Sequence, residues 1–183
     1  ARWGARYDIG INPIFCHSTR HYYRVYVEID RRASKANEAL EELGYIHHCS
    51  SCLYREVQLG LLSFPILSCP SCGGKKVITS GPIWLGKTHD KDFISKARSH
   101  VTEEMGMGSR VERIFSRVAE ELEVPTHYDQ HKLCRLWGLP APSMEIFIGQ
   151  IVDAGFEISR THYGGTTFKT NATISEIYEI AND

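Results

Sequence analysis

The chain has 183 residues, 42% of them hydrophobic, and a formal net charge of −1 at pH 7. That size and apolar content support one or two globular cores. The near-zero charge excludes a polyanion binder that works through overall basicity, so any nucleic-acid contact has to come from local patches. No run of roughly 18 or more apolar residues is present to make a transmembrane helix, and the chain shows no charged-then-apolar leader of the secretory type.

The opening ARWGARYDIGINPIF lacks an initiator Met and reads as the middle of a longer sequence. Trp3, Tyr7 and Ile11 recur at four-residue spacing, which predicts a helix that Pro13 stops. Residues 21–30, HYYRVYVEID, predict a strand. Tyr23, Val25, Val27 and Ile29 share one face, and Tyr22, Arg24, Tyr26 and Glu28 take the other. Residues 33–43 predict a helix with Ala36, Leu40 and Leu43 inward and Gly44 as its stop. Tyr45–His48 returns as a short strand into the first cysteine pair.

Cys49 and Cys52 form one CxxC turn, and Cys69 and Cys72 form a second. Each turn points two sulfurs at one centre, and two turns complete the tetrahedral four-sulfur set of a structural zinc ribbon, expected over 45–78. Four thiolates leave zinc no open position, so the metal is expected to shape the fold rather than catalyse. The paired spacing favours reduced thiols in a cytoplasm over disulfides. His47 or His48 is an alternative ligand beside the four sulfurs. Cys16 and Cys134 stand apart and read as small buried residues. Between the pairs, short apolar stretches around Gly60 and Pro65 predict the strands of a ribbon hairpin. After them VITSGPIWLG predicts a strand bent at Gly81-Pro82.

Residues 90–105 predict a helix capped by Asp90, with Phe93, Ala97, Val101 and Met105 on one face. MGMGS at 105–109 reads as a linker. Beyond it come three predicted helices: 110–123; one opened by a Thr126/Asp129 capping box and closed by Gly138; and 143–154, ended by Gly155. FEISRTH and TTFKT, joined at Tyr163-Gly164-Gly165, predict a hairpin. The expected fold class is therefore α+β. A mixed-sheet domain with an inserted four-cysteine zinc ribbon occupies 31–108, and a winged-helix-like segment of three helices plus a hairpin occupies 109–183.

Each candidate contact has an alternative. Tyr22, Arg24 and Tyr26 place a cation between two aromatics, a face that can stack unpaired bases; equally, other protein can cover that strand, and Glu28 on the same face repels phosphate. Arg160, His162 and Lys169 cluster on the terminal hairpin, where wings often touch phosphates, or where a tip is simply solvated. His89, Asp90 and Asp92 suggest acid–base chemistry, but a helix N-terminus accounts for both aspartates. His127 and His131 lie four apart without the glutamate of an HExxH. No Gly-rich loop follows a strand into a helix, and no GxSxG appears. The residues by themselves describe a zinc-stabilised module joined to a winged helix, with nucleic acid as its candidate partner.

Six phrases in order go further: INPIF…STRHYYRVYVEI, GYIHHCSSC, SCPSCGG, GPIWLGKTHD, PTHYDQHKL and SRTHYGGTTFKTNA. Together they resemble the tRNA (guanine(26)-N(2))-dimethyltransferase family, chiefly its archaeal members, over nearly the whole chain. The resemblance implies an S-adenosylmethionine-dependent class I methyltransferase that puts one or two methyl groups on the exocyclic N2 of a tRNA guanosine. In that family the catalytic domain is N-terminal, with a Rossmann-like cofactor half and a DPF/DPY-type motif. This sequence contains neither, so residues 1–30 would be the last helix and strand of the methyltransferase domain, and 31–183 the part that helps hold tRNA. No catalytic or cofactor-binding residue carries over, and the chain by itself is expected to be inactive. Tyr22, Arg24, Arg160, His162 and Lys169 fall within matching phrases and become the RNA-binding candidates. The implied partners are tRNA and the N-terminal methyltransferase domain, with no membrane. The alternative is a freestanding zinc-ribbon and winged-helix module that binds nucleic acid without enzymatic activity.

Overall fold

The computed structural model of the chain describes every residue except Arg20, Glu103, Met105, Met107 and Asp183. One helical turn, α1 (Arg2–Ala5), leads into a long hairpin of β1 (Gly10–Thr19) and β2 (Tyr22–Asp30). The helix expected to reach Pro13 stops early. Asp8 turns the chain at φ 56°, and Ile11 is already in β1. Asp tolerates that left-handed conformation better than most residues. Pro13 fits a strand because the register slips between Pro13 and Phe15, a bulge where its missing N–H is not needed. The first 30 residues thus supply two paired strands in place of one helix and one strand.

The next helix, α2 (Ala33–Glu41), buries Ala36 and Ala39. Gly44, read as its stop, belongs instead to β3 (Leu43–Cys49). There it permits close strand approach, since a Cβ on Gly44 would lie 2.2 Å from the Gln58 carbonyl oxygen. β3 is the centre of a three-stranded sheet, with β4 (Arg55–Leu59) on one side and β5 (Val77–Trp84) on the other. The hairpin expected within the segment between the cysteine pairs does not form. Its one strand, β4, pairs back onto β3.

Asp90 caps α3 (Lys91–Arg98) as expected, its carboxylate accepting the Phe93 N–H at 2.7 Å, but the helix ends well short of residue 105. The expected linker at 105–109 lies partly outside the described residues, and Gly108 already opens α4 (Gly108–Glu120). There follow β6 (Tyr128–Asp129), α5 (Gln130–Trp137), α6 (Met144–Asp153), β7 (Ile158–Arg160), β8 (Thr167–Thr170) and α7 (Ile174–Asn182). The Thr126 cap is corrected: Asp129 is the N-cap of α5, accepting from the Lys132 N–H at 3.1 Å, which leaves 128–129 extended to pair with β8. Gly138 closes α5 at φ 70°, and Ser143 caps α6. The terminal helix α7 was not anticipated. Its signal is a capping box in which Thr173 donates its N–H to Glu176 Oε2 at 2.7 Å and Glu176 donates its N–H to Thr173 Oγ1 at 3.4 Å.

Every strand pair among the described residues is antiparallel, so the expected mixed sheet gives way to three small antiparallel sheets in an α+β chain. Helices α5 and α6 lie between β6 and β8 in the chain, yet those strands also pair antiparallel. Two clusters form the interior. Phe15, Ile94 and Val118 join β1, α3 and α4. Leu133, Phe147, Ile151, Phe168, Ile174 and Ile177 join α5, α6, β8 and α7, and Leu53 and Tyr54 from the first cysteine turn pack against them. No helix among the described residues is long and apolar enough to cross a membrane.

Candidate metal centre and nucleic-acid interface

Two tight turns build the sulfur cluster. After β3, the Leu53 N–H donates to the Cys49 carbonyl at 2.9 Å, with Leu53 at φ 62°. The second turn repeats the pattern, the Gly73 N–H donating to the Cys69 carbonyl at 2.8 Å with Gly73 at φ 70°. Both need positive φ, which explains the glycine in the second turn and makes Leu53 a local exception. The four Sγ atoms lie within 4.8 Å of one another. A tetrahedral centre with metal–sulfur bonds of about 2.3 Å separates its sulfurs by about 3.8 Å. Cys49 Sγ to Cys72 Sγ is 3.7 Å, and Cys52 Sγ to Cys69 Sγ is 3.6 Å, so the set fits a tetrahedral ion. Burial opposes charge on Cys49, but the amides of Cys52 and Ser51 and the neighbouring thiols outweigh it and pull its thiol down to about 6. Burial pushes Cys52 up to about 12, and the other thiols add to the rise. Such an uneven set gains most from a cation that neutralises all four sulfurs together.

His47 does not join the sulfurs. It is buried with Nδ1 on Thr79 Oγ1 at 2.9 Å and Nε2 on Gln58 Oε1 at 3.1 Å, and His48 is likewise outside the cluster. Cys134 is buried and Cys16 half-buried, both as free thiols.

The five RNA-binding candidates separate into two environments. Tyr22 and Arg24 are exposed on β2, with the Arg24 guanidinium 4.9 Å from the Tyr22 ring centroid. The opposite face of β2 is also open: Tyr23 is 83% exposed and Val25 62%. Val25 and Val27 instead border a groove with Trp3, Pro13, Ile83 and Trp84.

The terminal hairpin behaves differently. His162, Lys169 and Glu121 are each less than a tenth exposed at the side chain. Glu121 Oε1 accepts from His162 Nδ1 at 2.5 Å and from the His162 N–H at 2.7 Å, while Oε2 meets Lys169 Nζ at 3.2 Å. His162 Nε2 accepts the Ser18 N–H at 3.0 Å, which fixes the ring as the Nδ1–H tautomer. Burial alone would push the Glu121 carboxyl up, but His162 and Lys169 hold it below the usual carboxylate range. His162 and Lys169 therefore lock the β7–β8 turn to the end of α4 and to β1, with His162 also bordering a cleft beside Arg110 and Arg113. Arg160 is partly exposed and paired with Glu145 at 3.0 Å.

His89 is buried near Lys169 and Glu121, and Asp90 is the α3 cap, so the acid–base reading of that segment finds no support. His127 precedes α5, so it does not share a helix with His131. Its ring stacks on Tyr163 at 4.6 Å.

The residue reading missed the partners of Tyr22 and Arg24. Arg110, Val111, Ile114 and Phe115 of α4 face Tyr22, Arg24 and Tyr26 across a cleft of about 220 Å³. The basic residues Arg110, Arg113 and Arg117 at i, i+3 and i+7 were the available signal. The tertiary fold supplied the placement of that face against the hairpin.

A model of the N2,N2-dimethylguanosine tRNA methyltransferase family matches residues 1–182. The tRNA (guanine(26)-N(2))-dimethyltransferase of Haloarcula marismortui is 48% identical over 100% of this chain and 49% of its own length. The enzyme of the same name from Methanosarcina mazei is 37% identical over 98% of this chain and 46% of its own length. Trm1 from Pyrococcus horikoshii, solved in complex with S-adenosyl-L-methionine, superposes with a TM-score of 0.84 at 28% identity, covering 98% of this chain and 46% of that one. The chain spans about half the length of the curated relatives it matches. It belongs to the N2,N2-dimethylguanosine tRNA methyltransferase family.

Proposed function

We propose that this chain is the tRNA-holding part of an S-adenosylmethionine-dependent methyltransferase that modifies guanosine 26 of tRNA at N2, and that the methyl transfer is carried by a separate N-terminal domain. The family match over residues 1–182 carries the reading, because the matched relatives are about twice as long as this chain. Among the described residues the sheets are all antiparallel, with no parallel strand–helix–strand unit to cradle S-adenosylmethionine, so no step of the transfer is drawn through them. Their part is to bind and orient RNA while the target base reaches a pocket elsewhere.

Tyr22 and Arg24 are the RNA-facing residues of this reading. Each offers what an unpaired base or phosphate needs, and their strand is open on that face. Arg160 can add a peripheral contact where its pairing with Glu145 yields to phosphate. The groove of Val25, Val27, Trp3 and Trp84 is the surface for the N-terminal domain, being apolar and contiguous with the hairpin. Zinc is the metal that suits four thiolates at these separations, with a structural role. It braces a ribbon whose first turn, through Leu53 and Tyr54, packs on the core of a winged helix made of α4, α5, α6 and the β7–β8 hairpin. The reduced thiols suit a cytoplasmic setting.

The test is binding by the intact protein carrying this chain. Folded tRNA is expected to bind more tightly than duplex DNA of equal length, with affinity falling steeply as salt rises. Preference for duplex DNA would overturn the reading and favour a freestanding nucleic-acid-binding module. The chain by itself is expected to transfer no methyl group to tRNA.

A further inference from the structure

On the other side of the β1–β2 tip from the Tyr22/Arg24 cleft lies a larger one of about 650 Å³. Its walls are Ser18, Thr19 and Tyr23 from the hairpin, Arg110, Arg113 and Ile114 from α4, and His127, His162 and Tyr163 from the terminal unit. The volume falls in the roughly 300–1,000 Å³ range of small-molecule sites. Three features make it specific in chemistry. Arg110 and Arg113 stand one helical turn apart, and among the described residues neither has a carboxylate within 4 Å. Tyr163 packs at 4.6 Å from His127 and 4.2 Å from His162, so the far wall is an aromatic row held in place. Tyr23 is open to solvent at the near rim.

The floor is rigid for a stated reason. His162 is bonded to Glu121 and to the Ser18 N–H, and that network joins all three segments that form the cleft. Burial, with Arg55 and Lys169 nearby, holds His127 below the usual histidine range. Glu121 is buried and already engaged on both oxygens. Among the described residues that line the cleft, the arginines are Arg110 and Arg113.

We propose that this cleft takes one unpaired nucleotide of the bound RNA, its base against Tyr23 and the Tyr163 row and its phosphate on Arg110 and Arg113. Planar forks of arginine suit phosphate, and exposed aromatic rings suit a base without regard to its identity. The inference rests on the RNA-binding reading above and adds a second subsite, which shares Arg110 with the Tyr22/Arg24 cleft and is distinguished from it by Arg113, Tyr23 and Tyr163. It implies that the RNA crosses the hairpin tip, with β2 gripping it on one side and α4 with the terminal hairpin on the other.

The experiment measures fluorescence anisotropy of the intact protein with two probes, folded tRNA and a fully paired RNA duplex without unpaired nucleotides, across a salt series. The variant Arg113→Ala, at an arginine that lines this cleft and not the Tyr22/Arg24 one, is expected to reduce the slope of log affinity against log salt by about one on tRNA. Tyr23→Ala, at an exposed ring that supports no core, is expected to weaken tRNA about tenfold, leaving the salt slope and duplex binding unchanged. Arg24→Ala serves as the comparator on the first face. If both cleft variants bind tRNA as the parent does while Arg24→Ala is weakened, the second subsite is refuted and RNA binding stands. An equal loss by Tyr23→Ala on both probes also refutes it, since a duplex has no unpaired base to stack. If the parent protein shows no preference for tRNA, both readings fall together.

Discussion

The two hairpins of this chain carry similar residues and use them in opposite ways. β1–β2 holds Tyr22, Tyr23 and Arg24 in the open, on a two-stranded sheet with neither face of β2 covered. β7–β8 holds His162 and Lys169 beneath α4, with Glu121 drawn in to accept from His162 and to pair with the Lys169 ammonium. A basic residue on an uncovered strand is available to a ligand. On a strand packed under helices it must find an acid, because a buried unpaired charge is costly. The difference separates side chains open to a ligand from internal bracing.

Metal removal tests how far the bracing extends, and it carries the largest expected effect. In small metallo-domains structural zinc contributes apparent free energy of about 10–16 kcal/mol to folding. Because Leu53 and Tyr54 pack on the terminal core, and Arg55 lies 4.4 Å from the Tyr128 ring centroid, chelation should loosen both regions. Hydrogen exchange is expected to rise first over 45–78 and then at β6 and α5. Protection unchanged everywhere after chelation would sever the proposed link between metal and terminal unit.

Next in size is Glu121→Ala. It leaves Lys169 buried without its partner, at a cost of about 3–5 kcal/mol, read as a fall in melting temperature. Arg24→Ala on the other hairpin should move stability by no more than about 0.5 kcal/mol. Comparable losses from the two substitutions would erase the contrast between the hairpins.

Acid gives a smaller, graded effect. His17, His89 and His127 are each held below the ordinary histidine value of 6.5, chiefly by burial. The unfolded chain then binds more protons, so stability is complete above about pH 6.5 and declines as pH falls toward the lowered folded values. Glu121 has the same sign at a lower pH, its contribution present above the ordinary 4.5 and lost below it. Thermal melts from about pH 7 to about pH 3 should show a two-stage fall. Glu121→Gln should shrink the lower stage, which Asp30, Glu123, Glu145 and Glu176 share because their carboxyls are also lowered.

The smallest expected effect lies between the aromatic and basic members of the open face. Tyr22→Ala should weaken tRNA binding through lost stacking of about 1–3 kcal/mol, with little change in salt slope, whereas Arg24→Ala should lower the slope by about one. Identical salt behaviour in the two variants would argue against a division of labour on β2.

Local chemistry was legible where a short stretch of chain suffices to define it. The cysteine turns, the Asp90 cap, the Gly138 stop and the family phrases all depend on neighbours a few residues apart. The Thr173/Glu176 box was equally local and was overlooked. Gly44 misled because glycine serves a helix end and a close strand crossing equally well, and the Gln58 carbonyl that decides the matter is 14 residues away. Likewise, Trp3, Tyr7 and Ile11 fit a helical period, yet long-range pairing with β2 won over that local signal.

By itself the sequence determined the family, the four-cysteine cluster that could hold a metal ion and the α+β content, because spacing and order within the chain are enough for each. Only the tertiary structure decided which basic residues face outward. Strand alternation assigns a side chain to one of two faces, but whether helices cover that face depends on packing between distant segments. Glu121 lies 41 residues before His162 and 48 before Lys169, and Ser18 lies 144 before His162. No local pattern announces that these groups meet, and their meeting makes His162 and Lys169 part of a brace beside the cleft of Arg110 and Arg113.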